Sequence, residues 1–187
     1  MKKSFLKVLS IVIVILFVAC KKNQNPFEIG KQHIGFLTDS TQIKDLKTIF
    51  ASDSIAQFIS GDAFAGNQNS IEVFEKGGAK LLVLTPKQEL DSTAVIKSVQ
   101  IIDSRYKTSK NISTLSTFKD ITSAYKISKI NNLINSILIT VSELNASFAI
   151  DKKELPSNLR FDMSLKIEAT HIPDNAKIKY FFINWNR

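Results

Sequence analysis

Cysteine occurs once in the 187 residues, at Cys20. A lone thiol can be acylated or alkylated on sulfur, attack an electrophile, or bind a metal. Its surroundings choose among these. Cys20 follows small Ala19 and an almost unbroken apolar run, Val8 to Val18, which is preceded by Lys2, Lys3 and Lys7. That run falls short of the roughly 20 apolar residues an ordinary membrane anchor needs. A basic start, a short apolar stretch and a small residue before the cut read as an export signal. The other chemistry-bearing residues are scattered. There are two histidines, His33 and His171. Neither has a second metal-type ligand at helical or H-x-H spacing, so both read as solvated loop residues and no metal is expected. No serine sits in a G-x-S-x-G elbow or in an S-x-x-K motif with its companions. No acidic cluster suggests glycoside hydrolysis or calcium. Gly77-Gly78 lacks the phosphate-loop pattern. The sequence therefore predicts no enzyme, no catalytic residue and no cofactor; ligand-binding residues are not identified.

The tetrapeptide Phe17-Val18-Ala19-Cys20 resembles the lipobox of bacterial lipoproteins, departing in Phe17, where Leu is usual. The resemblance implies that signal cleavage falls between Ala19 and Cys20, that lipid is attached to the Cys20 sulfur, and that the new amine is acylated, with palmitate a typical chain. Several acyl chains, each contributing about 0.8 kcal/mol per buried methylene, would hold the protein on a membrane almost permanently. Once the sulfur is lipidated no thiol remains for a disulfide, a metal site or a nucleophile.

Charge follows the same division. The whole chain carries 25 basic and 17 acidic residues, a net +8. Five of the lysines lie in the first 22 residues, so residues 28–187 carry only +3. Lys21 and Lys22 would sit at the headgroups, at about 1 kcal/mol each near an anionic surface. No basic stripe with interleaved aromatics is present, and nucleic acid is not expected as a partner. Residues 1–19 are thus read as the lipoprotein signal peptide and 20–27 as a lipidated tether ending near Pro26. About 160 residues remain, enough for one domain with a real core or two small halves sharing one.

Those 160 residues repeat a phrase. Ser-Thr-Gln-Ile-Lys-Asp-Leu at 40–46 is matched by Ser-Thr-Phe-Lys-Asp-Ile at 116–121. Upstream, Ile34 matches Ile112 and Leu37 matches Leu115; downstream, Phe50 matches Tyr125 and Ile55 matches Ile130. The apolar sets Ile43, Leu46, Ile49, Phe50 and Phe118, Ile121, Ala124, Tyr125 have the spacing of one helix face. Asp39 with Gln42 in the first copy, and Ser116 or Thr117 in the second, can cap these helices. Each helix is followed by a hairpin signal, the first turning at Gly77-Gly78 and the second at Glu143 to Asn145. A further strand follows each hairpin: Thr93 to Ile102, and Asn158 to Ala169, where Leu159, Phe161, Met163, Leu165 and Ile167 alternate. A last apolar strand runs from Ala176 to Trp185, either central in the sheet or with one face docking a partner. The polar stretch Ser60 to Ser70 reads as a loop. The expected fold class is α+β: two tandem repeats, 28–105 and 106–187, each a short helix packed on antiparallel strands.

An Ile, a short loop, Ser-Thr and a helix ending in an aromatic, behind a lipobox, resemble small Gram-negative lipoproteins of uncharacterised function. Those often show Gly-Ile-x-x-Gly-Ser-Thr; here Asn111 and Leu115 replace the glycines, and Asn tolerates positive φ. The order of helix and sheet is similar to the β-barrel assembly lipoproteins of SmpA/BamE type, and a tandem version is similar to β-lactamase inhibitory protein. These likenesses imply a noncatalytic lipoprotein of the cell envelope, anchored to the outer membrane through its N-terminal lipid and facing the periplasm, that binds another envelope protein as an assembly factor or inhibitor. The alternative is a module binding a small molecule or cell-wall ligand between the two repeats. Asp39-Ser40-Thr41, Asp53-Ser54-Ile55 and Asp91-Ser92-Thr93 also resemble acceptor sites for O-glycans on some exported bacterial proteins.

Overall fold

The computed structural model of the chain describes residues 24–57 and 70–185. The signal (1–19), Ala19, Cys20, Lys21 and Lys22 lie outside the described residues, as does all of the polar stretch except Ser70.

Three two-residue strands open the domain: β1 (Glu28–Ile29), β2 (His33–Ile34) and β3 (Leu37–Thr38). A 3-10 turn (Ile43–Asp45) runs into α1 (Leu46–Ile49). Then come β4 (Ser54–Gln57), β5 (Ile71–Phe74), β6 (Lys80–Pro86), β7 (Ile96–Ile101) and β8 (Lys107–Thr108). Helix α2 (Phe118–Ala124) is followed by β9 (Lys129–Asn132), β10 (Ser136–Val141), β11 (Ala146–Asp151) and β12 (Ile178–Asn184). The fold is mixed α+β, mostly strand, with two short helices and two sheets.

The larger sheet has the spatial order β4-β5-β6-β7-β12-β11-β10-β9, and every neighbouring pair is antiparallel. Its register places Ile55, Val73, Leu82, Ile101, Phe181, Phe148, Ile139 and Ile130 opposite one another across all eight strands. This row lies in or against the buried core. Leu46 and Phe50, and Phe118, Ile121 and Tyr125, belong to the same buried cluster as the strands. Period-two burial along β5 and β10 is what a sheet with one face packed and one face wet requires. The smaller sheet, β3-β2-β1-β8, ties the start of the domain to the stretch before α2, through parallel pairing of β1 with β8. Phe27 adds to this tie, packing edge-on to Tyr106 at 5.1 Å. The Trp185 indole N–H closes it from the other end by donating to the Lys31 carbonyl (3.0 Å).

Both hairpins turn where expected. Gly77 and Gly78 take φ of +124° and +96°, and Asn145 takes +54°. The last strand is central, between β7 and β11, with Phe181 and Ile183 fully buried. Two expected features differ. First, a strand precedes each hairpin, β4 and β9, where the sequence reading ran from helix straight to hairpin. Second, residues 158–169 form no strand. They hold the end of a 3-10 turn (Ser157–Leu159), a loop, and the start of another 3-10 turn (Ala169–His171). Of the five alternating residues, Ile167 is buried and Leu159 partly so, while Phe161, Met163 and Leu165 are exposed. The physical reason is twofold. Both edges of β11 are already taken by β10 and β12, so the segment cannot extend the sheet beside the strand that precedes it. Asp162 then breaks the chain direction, its carboxylate accepting the Ser164 N–H (2.8 Å) and hydroxyl (2.6 Å).

The helix starts also divide. Thr117 caps α2 in a reciprocal box with Asp120. Asp39 does not cap the first helix; its carboxylate accepts from the Gln32 side chain (3.2 Å), and Gln42 makes no side-chain cap.

Tyr106 gives the domain an alkaline limit. Burial pushes its phenol up to about 12, with the charges of Asp53 and Asp103 adding to the effect. The neutral phenol is favoured in the folded state, while the unfolded chain ionises near 10. Stability contributed here is full below pH 10 and lost as pH rises toward 12. Denaturant titrations at pH 9 and pH 12 are expected to differ by about 2–3 kcal/mol more in the parent than in Tyr106→Phe. An unchanged pH dependence in the variant refutes the assignment.

Candidate functional site

The segment between β8 and α2 carries the second copy of the repeated phrase, and it borders the larger cavity, about 930 Å3. Arg105, Lys107 and Lys110 line one side; Asp120 and Ser123 on α2 line the other; Leu115 stands at the rim. The loop's shape is set locally. Asn111 takes φ +63°, the left-handed conformation that Asn tolerates, as the sequence predicted. The Ile112 N–H then donates to the Thr108 hydroxyl (3.1 Å), and Ile112 drops into the core.

Several of the polar groups at the cleft are engaged in structural bonds. Ser116 Oγ accepts the Ser113 N–H (3.1 Å), and Ser113 Oγ accepts the Leu115 N–H (3.3 Å). Asp120 accepts the Thr117 N–H (2.8 Å) and hydroxyl (2.9 Å). Those bonds, the backbone one foremost, hold its carboxyl below the usual carboxylate range. Asp120 is therefore an anion at neutral pH and no proton donor. Lys110 Nζ donates to the Ala124 carbonyl (2.8 Å) and Glu143 (3.0 Å) and lies 4.3 Å over the Tyr125 ring, closing the end of α2. Arg105 is held by Asp103 and Glu75. The Asp120 carboxylate that accepts the Thr117 hydroxyl is committed to capping α2. The cleft presents cationic, anionic and apolar side chains that can recognise a surface by shape and charge.

The histidines lie elsewhere. His33 is in β2, half-buried, with its ring against Gly30, rather than solvated in a loop. His171 is in the exposed 3-10 turn, where Nδ1 accepts the Glu168 N–H (3.2 Å). Among the described residues no group of three or more His, Cys, Asp or Glu is placed to hold a metal ion. The serines Ser40, Ser54 and Ser92 of the three Asp-Ser tripeptides are all exposed.

The loop also shows what sequence matching missed. Leu37 and Leu115 align in the two copies, yet Leu37 is 0% exposed and Leu115 is 78% exposed. The first copy spends two additional residues before its Ser-Thr, which lets Leu37 pair in β3 and turn inward. The shorter second loop turns Leu115 out. Loop length was the available signal. Strands β7 and β12 form a continuous hydrogen-bonded seam, with Val99, Ile101, Phe181 and Ile183 buried along it.

A second cavity, about 550 Å3, lies near the β9–β10 turn and is lined by Ile134, Lys152, Arg160 and Phe161 among others. No helix among the described residues is long and apolar enough to cross a membrane.

No protein-family model matches the sequence, and no curated protein matches it. In structure the chain is similar to the uncharacterized protein yfeY from Escherichia coli, with a TM-score of 0.55, 15% sequence identity, and coverage of 84% of this chain and 99% of that one. At that identity the likeness is one of fold.

Proposed function

We propose that this protein is a noncatalytic lipoprotein of the bacterial cell envelope, anchored to the outer membrane through lipid on Cys20 and facing the periplasm, that binds another envelope protein. The observation that carries the reading is the cleft beside α2, where Ser113, Ser116 and Asp120 are fixed by structural hydrogen bonds while Leu115 is exposed. A large apolar side chain exposed beside a cleft is the type of anchor that binding surfaces use.

The scaffold is read as a doubled unit, residues 28–105 and 106–187, each a short helix on antiparallel strands. Matching hydrogen bonds support this. The Ile43 and Lys44 N–H groups donate to Ala94 and Ser92, just ahead of β7; those of Phe118 and Lys119 donate to Ala176 and Asp174, just ahead of β12. The isolated bridges Gln42–Val95 and Thr117–Lys177 fall at corresponding places. With Val95 set equal to Lys177, Gln100 corresponds to Phe182, and these two face each other at the centre of the seam. The pairing of β7 with β12 then maps onto itself, as a two-fold relation demands.

Leu115→Asp tests the binding surface. An exposed substitution of this kind leaves stability within about 0.5 kcal/mol. Affinity isolation from gently solubilised envelopes is expected to recover a specific protein with the parent chain and to lose it with the variant. Recovery of no specific protein with the parent, or equal recovery with the variant, removes the reading.

A further inference from the structure

Nine large apolar side chains are exposed among the described residues, and five of them lie on two neighbouring loops. Leu133 and Ile134 form the β9–β10 turn; Phe161, Met163 and Leu165 occupy the segment that failed to become a strand. The loops are joined. The Asn132 side-chain amide donates to the Asp162 (3.1 Å) and Leu165 (3.0 Å) carbonyls, fixing one loop on the other. Phe161 is 88% exposed and Ile134 77%, so both border the second cavity and remain open to solvent.

Beside these side chains the charge is one-sided. The cavity between them is lined by Lys152, Lys153, Arg160 and Lys179, with Asp151 the single carboxylate on its wall. Lys179 is spoken for, pairing with Asp151 at 2.8 Å. Arg160 gives its Nε–H to the Leu155 carbonyl, leaving the rest of the guanidinium outward. Lys152 is the unusual member. It is 5% exposed, and its ammonium meets the Met163 sulfur at 3.2 Å. Its charge also reaches the Asp162 carboxylate, which it helps to hold as an anion, and an anion entering the cavity would add a further partner.

Exposed apolar side chains beside a cluster of cations match the groups of an acidic bilayer, acyl chains inside and phosphate at the surface. We propose that the Ile134–Phe161 edge seats on an anionic membrane surface, with Phe161 and Ile134 entering the acyl boundary and Lys152, Lys153 and Arg160 taking the headgroup phosphate. This contact is separate from the lipid on Cys20 and from the Leu115 surface, and does not rest on the function proposed above.

The test uses the complete mature chain, residues 20–187, with Cys20→Ser so that no lipid is attached. Co-sedimentation is measured with vesicles of phosphatidylcholine alone and with vesicles containing phosphatidylglycerol. Binding is expected only to the anionic vesicles. It should fall about fivefold for each of Lys153→Gln and Arg160→Gln, and weaken with salt. Phe161→Ser should weaken it about tenfold. Both kinds of variant alter exposed or half-exposed positions, and circular dichroism checks that they fold. Glycerol phosphate at millimolar concentration separates the two sources of phosphate: strong competition together with indifference to Phe161→Ser would mean a soluble phosphate ligand and overturn the membrane seat. Equal binding to neutral vesicles, or no binding to anionic ones, also overturns it. So does photo-crosslinking from position 161 in cells that yields a protein adduct and no lipid adduct.

Discussion

Phe181→Ala is expected to lower stability by about 3–5 kcal/mol, and to do so for the whole domain at once. Phe181 is fully buried at the seam, opposite Ile101 on one side and Phe148 on the other, with the two phenyl rings 4.5 Å apart. Truncation removes the ring's burial and leaves a cavity bounded by strands from both halves, which a continuous sheet cannot collapse around. Domains of this size are stable by only about 5–15 kcal/mol, so the loss is a third or more of the total. The seam makes the second part of the expectation. Core residues from both halves form one row, from Ile55 to Ile130, with no polar break at β7–β12. Far-ultraviolet circular dichroism, which reports the whole sheet, and Trp185 fluorescence, which reports the junction of Trp185 with Lys31 and Lys97, should therefore give coincident urea transitions in parent and variant. Two resolved transitions would show that the sheet does not unfold as one unit.

Which parts of this fold could be read from sequence follows from how local each determinant is. The helices, their paired aromatic ends and the two hairpins were legible because spacing, caps and positive-φ residues act over a few positions. Gly77-Gly78 and Asn145 sit where they must. The four residues of β4 and β9 were missed because strands so short carry no periodic signal, and Ile55 and Ile130 gain meaning only from their place in the cross-strand row. The opposite error occurred at 158–169. Alternation there was as clean as in β10, but β12 takes the place beside β11, and Asp162 turns the chain by accepting from Ser164. Phe161, Met163 and Leu165 are left exposed. The candidate sites were legible only in part. Leu115 was noticed as a departure from the Gly-Ile-x-x-Gly-Ser-Thr pattern, but its exposure follows from a two-residue difference in loop length. The cations at Lys152 and Arg160 were invisible because they are brought beside Ile134 by tertiary packing alone.

The largest functional effect is expected from Cys20→Ser. On the lipobox reading, the parent chain loses residues 1–19, gains acyl chains on the Cys20 sulfur and new amine, and fractionates with the outer membrane. The variant keeps the hydroxyl in place of the thiol, and an alkoxyl is far too poor a nucleophile for the same transfer. It should therefore retain the uncleaved signal, incorporate no labelled palmitate, and be missing from the outer membrane. The energetics leave little room for partial effects. One acyl chain gives only marginal, reversible binding, two or more give stable anchoring, and Lys21 and Lys22 supply only about 1 kcal/mol each. Incorporation of palmitate by the variant, or none by the parent, would remove the anchor from the proposal. The anchor also sets geometry. On that reading three residues separate Cys20 from Gln24, the first described residue, four chain steps of at most about 14 Å. A domain held that close cannot tumble freely; one of its surfaces must face the bilayer for much of the time. If the Ile134–Phe161 edge is that surface, Phe161→Ser in the lipidated parent should leave outer-membrane fractionation intact. It should instead raise the protease sensitivity of residues 157–167, because the loop then loses its cover while the acyl chains still hold the protein in place.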